Sequence, residues 1–222
     1  MKLLALDTAT DGCSVALDVE GQVFSRYELA PRRHAEIILP MIEQLLSEAE
    51  LRVKQLDAIA FGCGPGAFTG LRIACGVTQG IAFSADLPVV PVSTLAALAQ
   101  GGYRATAHEK IIAAIDARMG EVYWGLFQLS QGGLMQAVSE ERVSVLGDME
   151  LPQGDELWVG IGSGWGTATA PPARLQPRLC DVKPQLLPDA RDILSLAKPA
   201  LLQGAYVAAA QALPTYVRNK VV

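Results

Sequence analysis

Residues 111–133 read IIAAIDARMGEVYWGLFQLSQGG, and they repeat the plan of residues 3–22, LLALDTATDGCSVALDVEGQ. In each copy an apolar run ends in an aspartate, Asp7 in one and Asp116 in the other. A short turn follows, then a stretch suited to a second strand, then a glycine-containing turn. A single repeat at a spacing of roughly a hundred residues points to a duplicated domain, not a solenoid.

Working outward, the first copy continues with VFSRYEL (23–29) as a third strand. An amphipathic helix is expected from Arg33 to Glu50, because Ile37, Ile38, Met41, Ile42, Leu45, Leu46 and Ala49 recur at helical spacing. Pro40 falls inside it and removes one helical hydrogen bond. DAIAFGC (57–63) is the next strand, GPGAFTG (64–70) a loop and LRIACGVTQGIAFSA (71–85) a helix. PVVPV (88–92) is a short strand, and STLAALAQ opens a helix capped by Ser93 or Thr94. After the repeat, ELWVGIGSGW (156–165) is a strand plus glycine loop, and PPARLQPRL (171–179) is a proline-rich connection. A helix, DILSLAKPALLQ (192–203), and a tail, PTYVRNKVV (214–222), complete the chain. The expected fold is α/β: two lobes, residues 1–103 and 104–222, each a ββαβα-type unit. That is the actin-like plan of sugar kinases and heat-shock ATPases.

The 222 residues are half hydrophobic and 18% charged, enough for a substantial core. The formal net charge is −5, from 18 basic and 23 acidic side chains, with no basic block. Phosphate backbones are gripped mainly by Lys and Arg displacing counterions, so this chain is a poor stand-alone nucleic-acid binder. Its four cysteines make no C-x-x-C pair, which suits a reduced, cytoplasmic setting. No apolar run reaches the roughly 18 residues of a membrane span, and the opening run is too short for a signal-peptide core.

Four constellations could carry chemistry. Asp7-Thr8-Ala9-Thr10 stands where actin-like ATPases organise a metal ion and phosphates; equally, Asp7 could simply accept backbone N–H groups in the turn. Thr8, Ala9 and Thr10 replace the glycine that lets phosphate approach, so any nucleotide site at Asp7, Thr8 and Thr10 would be vestigial. The loop Gly62–Arg72, GCGPGAFTGLR, has glycines before a helix but no G-K-[ST] ending, and a structural turn is the favoured reading. In the following helix Gly76 and Gly80 lie one turn apart beside Ala74 and Cys75. Each glycine costs about 1 kcal/mol against alanine, so another backbone should approach there, from this chain or from a second one. The loop GIGSGWG (160–166) reads as a plain turn in preference to an adenosine contact. The two histidines, His34 and His108, lack the H-x-x-x-H spacing of a helical metal site.

Several of these stretches closely resemble the TsaB family, also called YeaZ: LALDTAT with CSVAL, RRHAEIILP, GCGPGAFTGLRIACGVTQGIAF, PVSTLAALA, DARMGEVYWGLF and PTYVR. The resemblance runs from the first strand to the tail and is weaker between about residues 130 and 200. It implies a subunit without catalytic residues or metal of its own, paired with TsaD, the transferase paralogue that makes threonylcarbamoyl adenosine in tRNA. It further implies a TsaE-like ATPase on the pair, tRNA contact only through the complex, no membrane, and self-association in isolation. ADP or ATP at the subunit interface is a further implied feature, with no intrinsic cofactor. The pairing surface implied by resemblance comprises Arg33, His34, Ile38, Met41, Phe68, Thr69, Gly70, Arg72, Ile73, Gly76 and Gly80. Two rivals stand beside this reading: a free-standing actin-like ATPase or phosphotransferase using Asp7 and, more remotely, a glycoprotease-like peptidase.

Overall fold

The apolar opening strand β1, Lys2–Asp7, is continuous because both of its faces are covered. Leu4 and Leu6 pack one way, with Val15, Leu17, Ile59 and Phe61. Leu3 and Ala5 pack the other way, with Ala16, Ala58 and Ala60. This two-residue alternation sets the layers of the first unit.

The computed structural model describes residues 1–218, so the last four residues of the expected tail and second lobe lie outside the described residues. The chain divides into two compact units, the first made of residues 1–97 and 188–215, the second of residues 98–187 and the end of the chain from Tyr216. Both are discontinuous in sequence, whereas the sequence reading placed a single boundary between residues 103 and 104.

In the first unit β1 is flanked by β2 (Gly12–Val19) and β3 (Gln22–Leu29) on one side, and by β4 (Ala58–Gly64) and β5 (Val89–Ser93) on the other. The sheet order is β3-β2-β1-β4-β5, with β1 antiparallel to β2 and parallel to β4. Helix α1 (His34–Glu48) and helix α2 (Phe68–Ala85) supply Ile38, Ile42, Leu45, Ala74 and Ala82 to the layer on the Leu4 face. On the Leu3 face lie Ala190, Ile193, Leu194 and Ala197 of α4 (Ala190–Leu202). Between β5 and the second repeat runs α3 (Thr94–Thr106); the Ala96 amide donates to Ser93 Oγ at 3.1 Å, which makes Ser93 the start signal of that helix.

The second unit repeats the sheet. β6 (Lys110–Arg118) pairs antiparallel with β7 (Glu121–Leu129) and parallel with β10 (Trp158–Ile161). Two short strands, β8 (Met135–Ala137) and β9 (Arg142–Val145), take the place of β3 beside β7, and β11 (Leu179–Lys183) borders β10. The order β8-β7-β6-β10-β11 matches β3-β2-β1-β4-β5 strand for strand, so the Asp7–Asp116 correspondence reflects a true duplication of topology. The helices were not kept in both copies. Residues 119–187, all described, contain only short 3-10 turns where the first unit has α1 and α2. Trp165, from one such turn, covers the sheet instead: its indole N–H donates to the Ile112 carbonyl at 3.1 Å, and its ring sits where a Cβ on Gly160 would fall, 2.6 Å away.

Candidate partner interface

Two glycines of α2 face open space. Cβ atoms built on Gly76 and Gly80 meet nothing within 4 Å. Both residues are exposed, and among the described residues no backbone of this chain makes the close approach that would offset them. Packing among the described residues therefore does not account for Gly76 and Gly80. Around them the exposed face carries Phe68 (47% exposed), Thr69, Arg72 and, beyond Gly80, Phe83, which is 85% exposed. The Arg72 guanidinium lies 3.9 Å from the centre of the Phe68 ring, a cation–π contact that holds both side chains at the surface. Ile73 is half-buried at the edge of this face.

The opposite flank of α2 is fixed firmly. Gly70 packs against the turn after β1, where an added Cβ would fall 1.9 Å from the Thr8 carbonyl oxygen. Thr8 Oγ1 donates to the Gly70 carbonyl at 2.7 Å, and the Ala67 amide donates to the Ala9 carbonyl at 2.7 Å. At the far side, Cys75 Sγ and Gln79 Nε2 both donate to the Ala212 carbonyl, at 2.9 and 3.1 Å, and the Thr215 amide donates to the Cys63 carbonyl at 2.7 Å. A C-terminal strap thus secures the helix whose outer face is bare.

The residues expected at a pairing surface accordingly separate. Arg33, Phe68, Thr69, Arg72, Gly76 and Gly80 are exposed. His34, Ile38, Met41 and Gly70 are buried in this chain, Ile38 and Met41 within the layer that α1 lays on the sheet. The correction has a simple cause: apolar positions at helical spacing face their own core before they can face a partner. On α1 the large apolar side chain that is exposed is Leu39 (48% exposed). Phe83 was missed, although it stands seven residues after Gly76 and three after Gly80, on the same stripe.

The Asp7 turn is closed. Asp7 and Thr8 are fully buried, and Thr10 is half-buried. Asp7 Oδ1 accepts the Ala9 amide at 3.0 Å, while Oδ2 is buried with no hydrogen-bond partner. A Cβ on Gly62 would fall 1.9 Å from that Oδ2. Burial pushes the Asp7 carboxyl up to about 7; the Ala9 N–H pulls the other way, and the Asp189 charge adds to the rise. The glycines of the Gly62–Arg72 loop therefore let α2 and β4 close over the first turn. In the second unit, Gly162 similarly packs on Ala114, where a Cβ would meet its carbonyl oxygen at 2.3 Å. Among the described residues no three His, Cys, Asp or Glu side chains gather in a metal-holding group. A polar groove of about 550 Å³ lies beside α1, lined by Arg26, Pro40, Glu43, Gln44, Ser47 and Glu48.

Over its whole length the chain is 40% identical to the tRNA threonylcarbamoyladenosine biosynthesis protein TsaB of Escherichia coli, covering 96% of that protein. The chain belongs to the TsaB family. The TsaB protein of Haemophilus influenzae is 39% identical, again over all of this chain and 95% of the relative. Among solved structures, YeaZ from Pseudomonas aeruginosa superposes with a TM-score of 0.89 at 49% identity, over 97% of this chain and 99% of that one. Residues 26–160 also match the model of a second family, TsaD, tRNA N6-adenosine threonylcarbamoyltransferase. That stretch contains both α1 and α2 and much of the second repeat.

Proposed function

We propose that this chain is a non-catalytic subunit of the machinery that makes threonylcarbamoyl adenosine in tRNA, and that it works by docking a TsaD-like transferase paralogue on the exposed face of α2. The observation that carries the proposal is the open space over Gly76 and Gly80. Two exposed glycines cost the helix about 2 kcal/mol relative to alanine. A helix from a second chain, brought close enough to touch the α2 backbone, offsets that cost, with Phe68 and Phe83 as apolar anchors at the two ends of the face. The paralogue is the natural occupant, because its family model matches the segment that contains both helices. A joint buried area of about 1,200–2,000 Å² would be ordinary for such a pair.

The closed Asp7 turn supports the absence of chemistry in this subunit. In this reading adenine nucleotide, a TsaE-like ATPase and tRNA belong to the assembled complex in the cytoplasm, and the same α2 face serves self-association when the paralogue is missing. No described helix is long and apolar enough to cross a membrane.

The test is Gly76→Leu and Gly80→Leu, each co-expressed with the paralogue. Pairing should weaken by at least about tenfold, equivalent to ~1.4 kcal/mol, while the isolated chain keeps its fold with a thermal midpoint no lower than wild type, since leucine is a better helix former than glycine. Normal co-purification of both variants would remove α2 from the interface. Magnesium-dependent ATP turnover by the purified chain, lost in Asp7→Asn, would instead favour the phosphotransferase reading.

A further inference from the structure

The second unit contains a cysteine–histidine contact that the pairing function does not use. Of the four cysteines Cys180 is exposed, whereas Cys13, Cys63 and Cys75 are buried. Its Sγ lies 3.2 Å from His108 Nε2 and 3.3 Å from the Trp158 carbonyl oxygen. The backbone register explains how the two side chains meet. Trp158 of β10 pairs with Leu179 and Val159 pairs with Asp181, so Cys180 is the unpaired extra residue of a bulge in β11. Bulges re-aim a side chain out of the strand's regular alternation. The thiol opens onto a groove of about 180 Å³, lined by Pro171, Gln176, Leu179, Cys180, Asp181 and Val182. The imidazole is supported from behind: its Nδ1 lies 3.3 Å from the Lys110 carbonyl oxygen and 3.4 Å from the Lys110 amide nitrogen. One of these partners suits a protonated Nδ1 and the other a bare one, so the ring keeps a hydrogen bond as its proton moves.

We propose that Cys180 and His108 form a thiol–imidazole pair that takes up small disulfides from solution, leaving a mixed disulfide on the second unit. His108 Nε2 accepts the Cys180 proton as Sγ attacks one sulfur of the disulfide. The new S–S bond forms as the old one breaks, and the departing thiolate takes the proton back from His108. One disulfide is consumed and one thiol released, with no other oxidant. Of the charged groups on the surrounding elements, Lys110 pairs with Glu156 and Lys183 with Asp181 at 2.8 Å. Arg178 donates through Nε and Nη1 to the Glu156 and Pro152 backbone carbonyls at 2.9 and 3.2 Å and keeps a buried Nη2 without a hydrogen-bond partner. None of them replaces His108 as the proton acceptor. The pair does not suit acyl transfer, because the neighbour of the sulfur is a carbonyl acceptor, where an oxyanion needs donors. The buried thiols do not compete. Burial pushes Cys13 up to about 12, with the Asp7 and Glu28 charges adding, and burial also raises Cys75.

The experiment treats the full chain with oxidised glutathione or cystamine at pH 7 and at pH 10, and locates adducts by peptide mass spectrometry. The expected result is one adduct, on Cys180, absent in Cys180→Ser. In His108→Ala and His108→Gln the pH 7 rate should fall at least about tenfold. At pH 10, where exposed thiols ionise without help, the wild-type and variant rates should converge. A first adduct on another cysteine, or equal rates at pH 7, overturns the proposal. Slow reaction of both variants at both pH values also overturns it, since His108 would then only shape access to the sulfur. The α2 glycines play no part in this outcome, so it stands or falls separately from the pairing test.

Discussion

At Asp7 a carboxylate sits at the end of a buried strand with one oxygen satisfied by the Ala9 amide and the other walled in by Gly62 and left without a partner. The cost is electrostatic and has a sign. The folded-state value of about 7 lies well above the ordinary aspartate value, so the native chain holds this proton more tightly than the unfolded one. Asp7 therefore favours folding most below about pH 4, and that contribution is lost as pH rises through 7, by about 4 kcal/mol if each unit is worth ~1.4. Asp7→Asn should flatten this slope: denaturant midpoints measured at pH 5 and pH 8 should converge, with the variant ahead of wild type at pH 8. An unchanged slope in the variant would locate the titration elsewhere. The sequence named Asp7 and offered two roles for it, metal organiser or turn acceptor. It could not choose, because the choice depends on whether Gly62 and Gly70, 55 and 63 residues further along, close over the turn or leave it open.

Helix α2 shows what a glycine means only once its surroundings are known. Gly70, Gly76 and Gly80 look alike in the sequence, yet Gly70 is pressed on the Thr8 carbonyl while Gly76 and Gly80 face open space. Alanine should therefore act in opposite directions along one helix. Gly70→Ala should destabilise the isolated chain by about 3 kcal/mol or more, since backbone must move. Gly80→Ala should stabilise it by about 1 kcal/mol while weakening paralogue binding. Chemical denaturation of the two variants checks the stability pair, and titration with the paralogue checks the binding; destabilisation by Gly80→Ala would mean that α2 already has a hidden neighbour. Phe83→Ser belongs with them: at 85% exposure it should leave stability within about 0.5 kcal/mol and reduce pairing. On α1, helical periodicity located the element within a residue or two; it was the resemblance, not the spacing, that put Ile38 and Met41 on a pairing surface. Ile38 and Met41 follow the same spacing as the core residues because they are core residues.

For the molecule as a whole, the duplication was visible in residues 3–22 and 111–133, and the two sheets repeat strand order faithfully. The return of the chain to its first unit was not visible, because nothing in DILSLAKPALLQ says which sheet its apolar face will cover. The structure assigns that face to the first unit: Ala190, Ile193, Leu194 and Ala197 cover Leu3, Ala5, Ala58 and Ala60. Lys198 also reaches the largely buried Asp18, donating to it at 2.9 Å. The first half of the sequence is consequently not a free-standing lobe. A fragment of residues 1–107 would expose the Leu3 face of its central strand and lose the strap at Ala212 that holds α2. Buried Ile and Leu side chains are worth about 1.5–3 kcal/mol each, so Ile193 and Leu194 alone carry a sizeable share of a typical domain's net stability of 5–15 kcal/mol. The fragment should therefore give poorly dispersed amide resonances and no cooperative unfolding. Adding residues 184–218 as a separate peptide should restore both, because the missing layer and the strap lie within it. Cooperative unfolding of the bare fragment near the native midpoint would show that α4 only decorates the sheet, and that α2 can be held in place by the first repeat without help.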